Sequence, residues 1–327
     1  MNEGFMQKYV LLVVFVLMGV GAIVGISVAT VPSCTGNTGP GTIVDERMPE
    51  LMPSPAAENT APAPKAGGFP VYTWMPADKT VGYRVTDIQL PADYQRVPVE
   101  PGSFAEWLRY LPLKPQGSQV YLYNGKLKGN QNAHYAVIDI DVGYQDLQQC
   151  ADAVMRLKAE YHYSKEQFSK IHFYFVSGFD AQYLKWMSGY GIKEAGNDVK
   201  WVASSAAGKG YQSFKTYMIK VFNYASTISL KRMLVPVENP ADIQVGDLFI
   251  KAGSPGHTII VVDTAKNAAG QVIFMLAQSY MPAQDIHVLK NPSGAYGGLP
   301  WYPAEFGDKL ATPEWEFTAG QLMRFKE

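Results

Sequence analysis

The sequence predicts an α+β fold in which helices precede a mostly antiparallel sheet. Apolar residues recur at helical spacing through much of residues 146–233, whereas the last third of the chain holds four segments with the β-branched composition of strands. Only short connections separate these four segments, and short connections join antiparallel neighbours. We therefore expect one large mixed domain rather than a parallel α/β sheet.

The chain divides into three parts by composition. Residues 1–34 form a signal, lipoprotein or membrane anchor, because residues 9–31 carry no charge and 23 residues exceed the ~20 that cross a bilayer. Residues 35–80 are rich in Pro, Ala and Gly and predict a linker. Residues 81–327 are predicted to be a single α+β domain.

The leader has three possible fates. Residues 31–34, Val-Pro-Ser-Cys, resemble a degenerate bacterial lipoprotein box with Cys34 as the lipidated residue. The same run could remain as an uncleaved transmembrane anchor, or cleavage near residues 27–29 could release the chain. Lys8 precedes the run and no basic residue follows it before Arg47, so the positive-inside tendency places the rest outside the cytoplasm, in the periplasm or at the cell surface.

Each element of the folded part has its own signal. Ser103 followed by Glu106 is a capping box that opens a helix, and Asp146 is expected to cap a helix running to about residue 161. Periodicity predicts the other elements, which are helices at 180–186 and 213–233 and strands at 82–90, 134–143, 242–250, 257–263, 271–280 and 285–290.

Cys150 is a candidate nucleophile. If Cys34 belongs to the leader or carries lipid, Cys150 is the only thiol in an extracytoplasmic domain. A single unpaired cysteine in such a domain is a candidate reactive thiol. It falls near the start of a predicted helix, where unpaired N–H groups favour a thiolate and should lower its pKa. Cys150 also lies on the apolar stripe of that helix, so a structural role in the core is the competing interpretation.

His257 is the candidate base, because it stands at the start of a β-branched run behind a Gly and Pro turn. Asp263 lies ~20 Å further along the same strand and cannot orient the imidazole. A hairpin centred between residues 267 and 268 would set Gln278 directly opposite His257, on the same face. A slip in register would leave Ser279 or Tyr280 as the third residue.

Residues 245–263 read VGDLFIKAGSPGHTIIVVD. Together with the upstream cysteine and the polar residue on the next strand, this segment resembles papain-like NlpC and CHAP cell-wall cysteine peptidases. The cysteine segment departs from the Asp-Cys-Ser-Gly pattern usual in NlpC enzymes, because residues 149–152 read Gln-Cys-Ala-Asp. The whole chain resembles an uncharacterised exported domain family of Bacteroides-type bacteria, which implies no substrate. The papain-like resemblance implies a Cys150, His257 and Gln278 triad that cleaves amide bonds of cell-wall peptide.

Other chemistries receive less support. Twenty-eight basic and 29 acidic residues leave a formal charge of -1 without a basic run, so nucleic acid is not an expected partner. Asp139 and Asp141 share a strand face and could hold a cation, but they are more typical of a solvated face. No metal-ligand spacing or cofactor motif is present, so no cofactor is expected. The alternative to a hydrolase is a cell-surface binding module on the same fold with a structural Cys150.

Replacing Cys34 with Ala should release the protein from membranes or block its maturation, because the lipid attachment atom is lost. Membrane fractionation with mass spectrometry of the N-terminus measures this, and Cys150→Ala is the matched control. Unchanged membrane association with an unprocessed N-terminus would instead identify a transmembrane anchor.

Overall fold

The structure, a computed structural model, describes residues 68–196 and 198–326. The predicted anchor at residues 9–31, Cys34 and most of the predicted linker lie outside the described residues. Within the described ranges, no helix is both long and apolar enough to span a bilayer.

The described residues contain five α-helices and antiparallel sheets, which confirms the α+β prediction. The helices are α1 Phe104–Arg109, α2 Cys150–Ser164, α3 Tyr183–Met187, α4 Tyr211–Tyr224 and α5 Thr227–Lys231. The strands are β1 Tyr94–Arg96, β2 His134–Val137, β3 His172–Tyr174, β4 Asp180–Gln182, β5 Tyr190–Ala195, β6 Asp198–Ala203, β7 Leu234–Pro236, β8 Leu248–Lys251, β9 His257–Asn267, β10 Val272–Gln278, β11 His287–Leu289, β12 Trp301–Pro303, β13 Leu310–Ala311, β14 Glu316–Phe317 and β15 Leu322–Phe325.

A nine-stranded sheet organises the fold. Seven strands run in the order β2-β11-β10-β9-β8-β15-β7, while β1 pairs with the far end of β9 and β12 pairs with β10. Every pairing in this sheet is antiparallel. The long hairpin of β9 and β10 lies at its centre, as expected for two segments that are apolar on both faces.

The two faces of the central sheet are covered by different parts of the chain. The face that carries Ile260 and Val262 packs against the helices, including α2. The other face carries Ile259 and Val261, and Phe317 from the C-terminal hairpin of β13 and β14 packs with them. Successive strand residues point to opposite faces, so the position of each residue in β9 decides which layer it enters.

Two helix starts show how local chemistry sets the boundaries. Ser103 accepts a hydrogen bond from the Glu106 N–H at 3.1 Å, as the capping signal predicts, and α1 follows directly. Helix α2 begins at Cys150 instead of Asp146, because the Asp146 carboxylate accepts the Ala283 N–H at 2.6 Å. Cys150 is therefore the first helical residue.

Three predicted elements differ from the structure, and one of them is the helix at 180–186, whose first three residues form β4 while the rest belong to α3. Residues 82–90 were expected as a strand, but they contain only a short 3-10 helix, Val85–Asp87. The predicted helix at 213–233 is two helices, because Ser226 is extended and its hydroxyl caps the second helix by accepting the Ile228 N–H at 3.1 Å. The hairpin of β5 and β6 was missed.

The folded part starts earlier than residue 81. Tyr72 is buried and donates a hydrogen bond to the Trp107 carbonyl oxygen at 2.8 Å, and the Trp74 indole N–H donates to the Asp139 carbonyl oxygen at 2.7 Å. These contacts stabilise residues assigned to the linker by composition. The predicted linker at 35–80 is therefore too long at its C-terminal end.

Asp263 is buried on the helix side of β9. Its carboxylate accepts hydrogen bonds from Arg96 and Arg109, each at 2.6 Å, so it holds β9 to β1 and α1. Arg109 is itself buried. Removing one partner of a buried ion pair leaves an uncompensated charge, which is strongly destabilising.

Asp263→Asn should lower the free energy of unfolding by about 3 kcal/mol, because it leaves two guanidinium groups without their carboxylate. Denaturant titration measures the change. The control is Asp198→Asn, whose exposed carboxylate lies 3.7 Å from Lys200 and should contribute less than about 1 kcal/mol. Equal effects for the two variants would contradict the structural role of Asp263.

Candidate active site

Cys150 lies against the backbone that follows His257. Its thiol sulphur accepts a hydrogen bond from the backbone N–H of Thr258, and only 8% of the residue is exposed. The first turn of a helix has N–H groups without intrahelical acceptors, so this position points several donors toward the sulphur. The structure thus brings the thiol next to the strand that bears the predicted base.

His257 and Gln278 are joined by a hydrogen bond. The His257 Nε2 atom lies 2.8 Å from the Gln278 Oε1 atom, and both side chains are buried. The register is not the predicted one, because Ala277 pairs with Ile260 and not with Thr258. A shift of two residues keeps the face, so Gln278 still reaches the imidazole as a diagonal neighbour.

Aromatic rings enclose the imidazole. The His257 ring centroid lies 4.9 Å from that of Tyr280, 5.1 Å from that of Trp315 and 6.0 Å from that of Phe317. The pKa of the Tyr280 phenol is raised, mainly by burial and then by the negative charges of Glu314 and of a Cys150 thiolate. Tyr280 is thus a common neighbour of the thiol and the imidazole.

The start of α2 enters a gap between β9 and β10. The ladder between these strands ends at Ile260 and Ala277, so Thr258 and Ser279 do not pair with each other. Thr258 donates its N–H to the Cys150 sulphur, and the Ser279 hydroxyl lies 3.0 Å from the Gln148 carbonyl oxygen. The loop and first residue of α2 therefore complete the hydrogen bonding of the opened hairpin.

Both candidate groups are neutral at pH 7. Burial raises the pKa of the Cys150 thiol to about 11, although hydrogen bonds from Thr258 and the helix backbone oppose this shift. Burial lowers the pKa of His257 to about 4, against the effects of Gln278 and the nearby Glu314 carboxylate. The expected lowering of the Cys150 pKa is thus wrong, because desolvation outweighs the helix N-terminus.

The remaining predicted groups have structural contacts. Asp139 pairs with Lys79 at 2.6 Å, and Asp141 lies 3.0 Å from Lys215 and 3.3 Å from Arg156. Within residues 68–196 and 198–326, no three His, Cys, Asp or Glu side chains come together in a way that could hold a metal ion.

Sequence reasoning missed the contribution of the C-terminal segment. Glu314 accepts a hydrogen bond from the Gln278 amide at 2.8 Å, and its other oxygen lies 2.5 Å from Lys128. Trp315 covers His257, and with Lys251, Thr312 and Glu314 it also lines a surface depression of about 510 Å³. The only signal in the sequence was the aromatic density of residues 313–317, which suggests a groove without indicating its neighbours.

In a Cys34→Ala background, iodoacetamide should label Cys150 at pH 7 on the order of 10²-fold more slowly than a free cysteine, because a thiol with a pKa of about 11 holds little thiolate. The rate should rise with pH up to that pKa. Mass spectrometry of the folded and denatured protein measures both rates. Rapid labelling of the folded protein at neutral pH would contradict the buried, neutral thiol.

The comparison with known proteins identifies a family but no solved relative. The family model described as Domain of unknown function (4846) matches residues 85–324, which include the thiol, the imidazole and the segment around Glu314. No curated protein and no solved structure matches the chain. The match covers more than two thirds of the 327 residues. The chain therefore belongs to the family described as Domain of unknown function (4846).

Proposed function

We propose that the chain is a cysteine hydrolase with a papain-like arrangement that cleaves amide bonds of cell-wall peptide outside the cytoplasm. The observation that carries this proposal is the position of Cys150 at the first residue of α2, hydrogen-bonded to the backbone N–H of the residue after His257, while Gln278 is hydrogen-bonded to His257 Nε2. The proposed roles are Cys150 as nucleophile, His257 as base and Gln278 as the group that orients the imidazole.

The proposed reaction has two steps. His257 Nδ1 takes the thiol proton while the Cys150 sulphur bonds to the amide carbon, and the backbone N–H of Cys150 contributes to binding the oxyanion. His257 then gives that proton to the leaving amine, and the carbon–nitrogen bond breaks to leave a thioester. A water molecule, deprotonated by the same imidazole, hydrolyses the thioester to a carboxylic acid and restores the thiol.

The resting pair is a neutral thiol and a neutral imidazole rather than a preformed ion pair. The pKa of the thiol is about 11 and the pKa of the imidazole is about 4, so proton transfer has to accompany the attack on the substrate. A bound carbonyl with its oxyanion donors supplies the acceptor for the developing charge. The free protein is therefore protected against indiscriminate thiol chemistry.

Three features support a cell-wall peptide as the substrate class. The uncharged run at residues 9–31 predicts export, and a lipid on Cys34 would anchor the domain to the membrane. The resemblance to NlpC and CHAP enzymes points to peptide amide bonds in that compartment. The depression beside Trp315 offers Lys251 and Glu316 as charged groups for a peptide with both signs of charge.

The second candidate is a surface binding module on the same fold. The small exposed fraction of Cys150 and its raised pKa favour a structural thiol. In that case Trp315 and its charged neighbours would bind a cell-surface peptide without cleaving it. Labelling of Cys150 only after denaturation would support this role.

Incubation of the full chain with peptidoglycan should release new amine and carboxyl termini, which mass spectrometry identifies. Cys150→Ala and His257→Ala should each lower the rate by at least ~10³-fold, because nucleophile and base act as a unit. Gln278→Ala should cost less, on the order of 10²-fold, since the imidazole remains but is mispositioned.

His172→Ala is the matched control, because this histidine is partly exposed and pairs with Asp180 at 3.0 Å in a separate hairpin. It should retain the full rate. Peptide binding without products, unchanged in Cys150→Ala, would overturn the hydrolase in favour of the binding module.

A further inference from the structure

We infer that Glu314 is a positioning residue that decides, through Gln278, which nitrogen of the His257 ring carries the proton. This inference deepens the proposed function, because only one tautomer of His257 can accept the thiol proton while bonded to Gln278.

The Gln278 amide has three polar neighbours. Its Oε1 atom lies 2.8 Å from His257 Nε2, and its Nε2 atom lies 2.8 Å from Glu314 Oε2 and 3.5 Å from His287 Nε2. Gln278 is only 2% exposed. The orientation of the amide therefore depends on which of these neighbours donate and which accept.

Both neighbours of the amide nitrogen are acceptors. The Glu314 carboxylate can only accept, and its Oε1 atom accepts from the ammonium group of Lys128 at 2.5 Å. The Nδ1 atom of His287 lies 2.8 Å from the Asp285 carbonyl oxygen, so Nδ1 carries the proton and Nε2 keeps a lone pair. Burial lowers the pKa of His287 to about 3, so this ring is neutral at pH 7.

These acceptors exclude the flipped amide. A flip would place the Gln278 oxygen against the Glu314 carboxylate and the lone pair of His287, where each contact is repulsive. The amide oxygen must therefore face His257, whose Nε2 has to carry a proton to donate to it. His257 Nδ1 is left with a free lone pair, which is the state that a general base needs.

Glu314 is the main determinant of the amide orientation, because its carboxylate is charged and lies 2.8 Å from the Gln278 amide nitrogen, whereas His287 lies 3.5 Å from it. It belongs to the segment between β13 and β14, far along the chain from the imidazole that it influences. Without the carboxylate, His287 alone would hold the amide through its longer contact. Both orientations of Gln278 would then be populated, and both tautomers of His257 with them.

Nitrogen-15 NMR of the histidine side chains in the full chain tests this inference, since the chain has five histidines and a His257→Gln variant assigns the signal. In the wild type, we expect protonated Nε2 and unprotonated Nδ1 for His257 at pH 7. Glu314→Gln should shift the Nδ1 resonance toward the protonated type, because the new amide can donate to the Gln278 oxygen and favour the flip.

The matched control is Glu194→Gln, because the Glu194 carboxylate is as exposed as that of Glu314, 12% in both cases, and also pairs with a lysine. It should leave the tautomer of His257 unchanged. Glu314→Ala removes the acceptor without adding a donor, so it decides the matter if the Gln variant does not fold. Circular dichroism reports the fold of each variant.

The tautomer is read without any substrate, so this test is independent of the hydrolase proposal. A protonated Nδ1 in the wild type, or an unchanged tautomer in both Glu314 variants, would overturn the positioning role even if peptidoglycan is cleaved. A changed tautomer in a protein that cleaves nothing would support the role of Glu314 and overturn only the hydrolase.

Discussion

The entry of α2 between the ends of β9 and β10 is the constraint on which the site depends. If β9 and β10 stayed paired to their ends, the Thr258 N–H would donate to a carbonyl oxygen of β10. Here the ladder ends at Ile260 and Ala277, and the sulphur of Cys150, the first residue of α2, accepts the Thr258 N–H. A buried donor without a partner costs about 1–3 kcal/mol, so the opening of the hairpin and the position of Cys150 stabilise each other.

A β-bulge determines which side chains face the imidazole. Between the pairs Met275 with Asp263 and Leu276 with Val261, one residue of β9 has no partner. The extra residue reverses which sheet face the side chains on either side of it occupy. Asp263 therefore faces the helices, whereas His257 faces Trp315 on the opposite side of the sheet. The same bulge puts Gln278 on the face of His257. Without it, the amide and the imidazole would lie on opposite sides of the sheet.

Local patterns predicted the elements better than their boundaries and their contacts. The apolar runs of β9 and β10 and the cap at Ser103 could be read from the sequence because each depends on neighbouring residues. The start of α2 could not be read from the sequence, because the Asp146 carboxylate accepts a hydrogen bond from the Ala283 N–H, more than 130 residues away. The hairpin register was wrong because the turn is centred at residue 269, where Val272 pairs with Lys266, and not between residues 267 and 268. The bulge then reduced the error from three residues to two. Gln278 still shares the face of His257 because the remaining error is an even number of residues.

The charged partner of Gln278 could not be predicted at all. Glu314 lies in an irregular segment without periodicity, and its contacts with Lys128 and the amide join parts of the chain with no local relation. The pKa of Cys150 was misjudged for a similar reason. A helix start is visible in sequence, whereas the burial that outweighs it comes from the whole fold.

The order of the strands also has a consequence for biosynthesis. Strand β15, the last one described, lies inside the sheet between β7 and β8, and the segment that carries Trp315 precedes it by only a few residues. A chain still emerging from the ribosome or a translocation channel has made Cys150 and His257 long before it has made these residues. The thiol and the imidazole therefore acquire their common environment only when synthesis of the domain is nearly complete. Chemistry at this site would be a property of the finished molecule, and nascent or truncated chains would be inert.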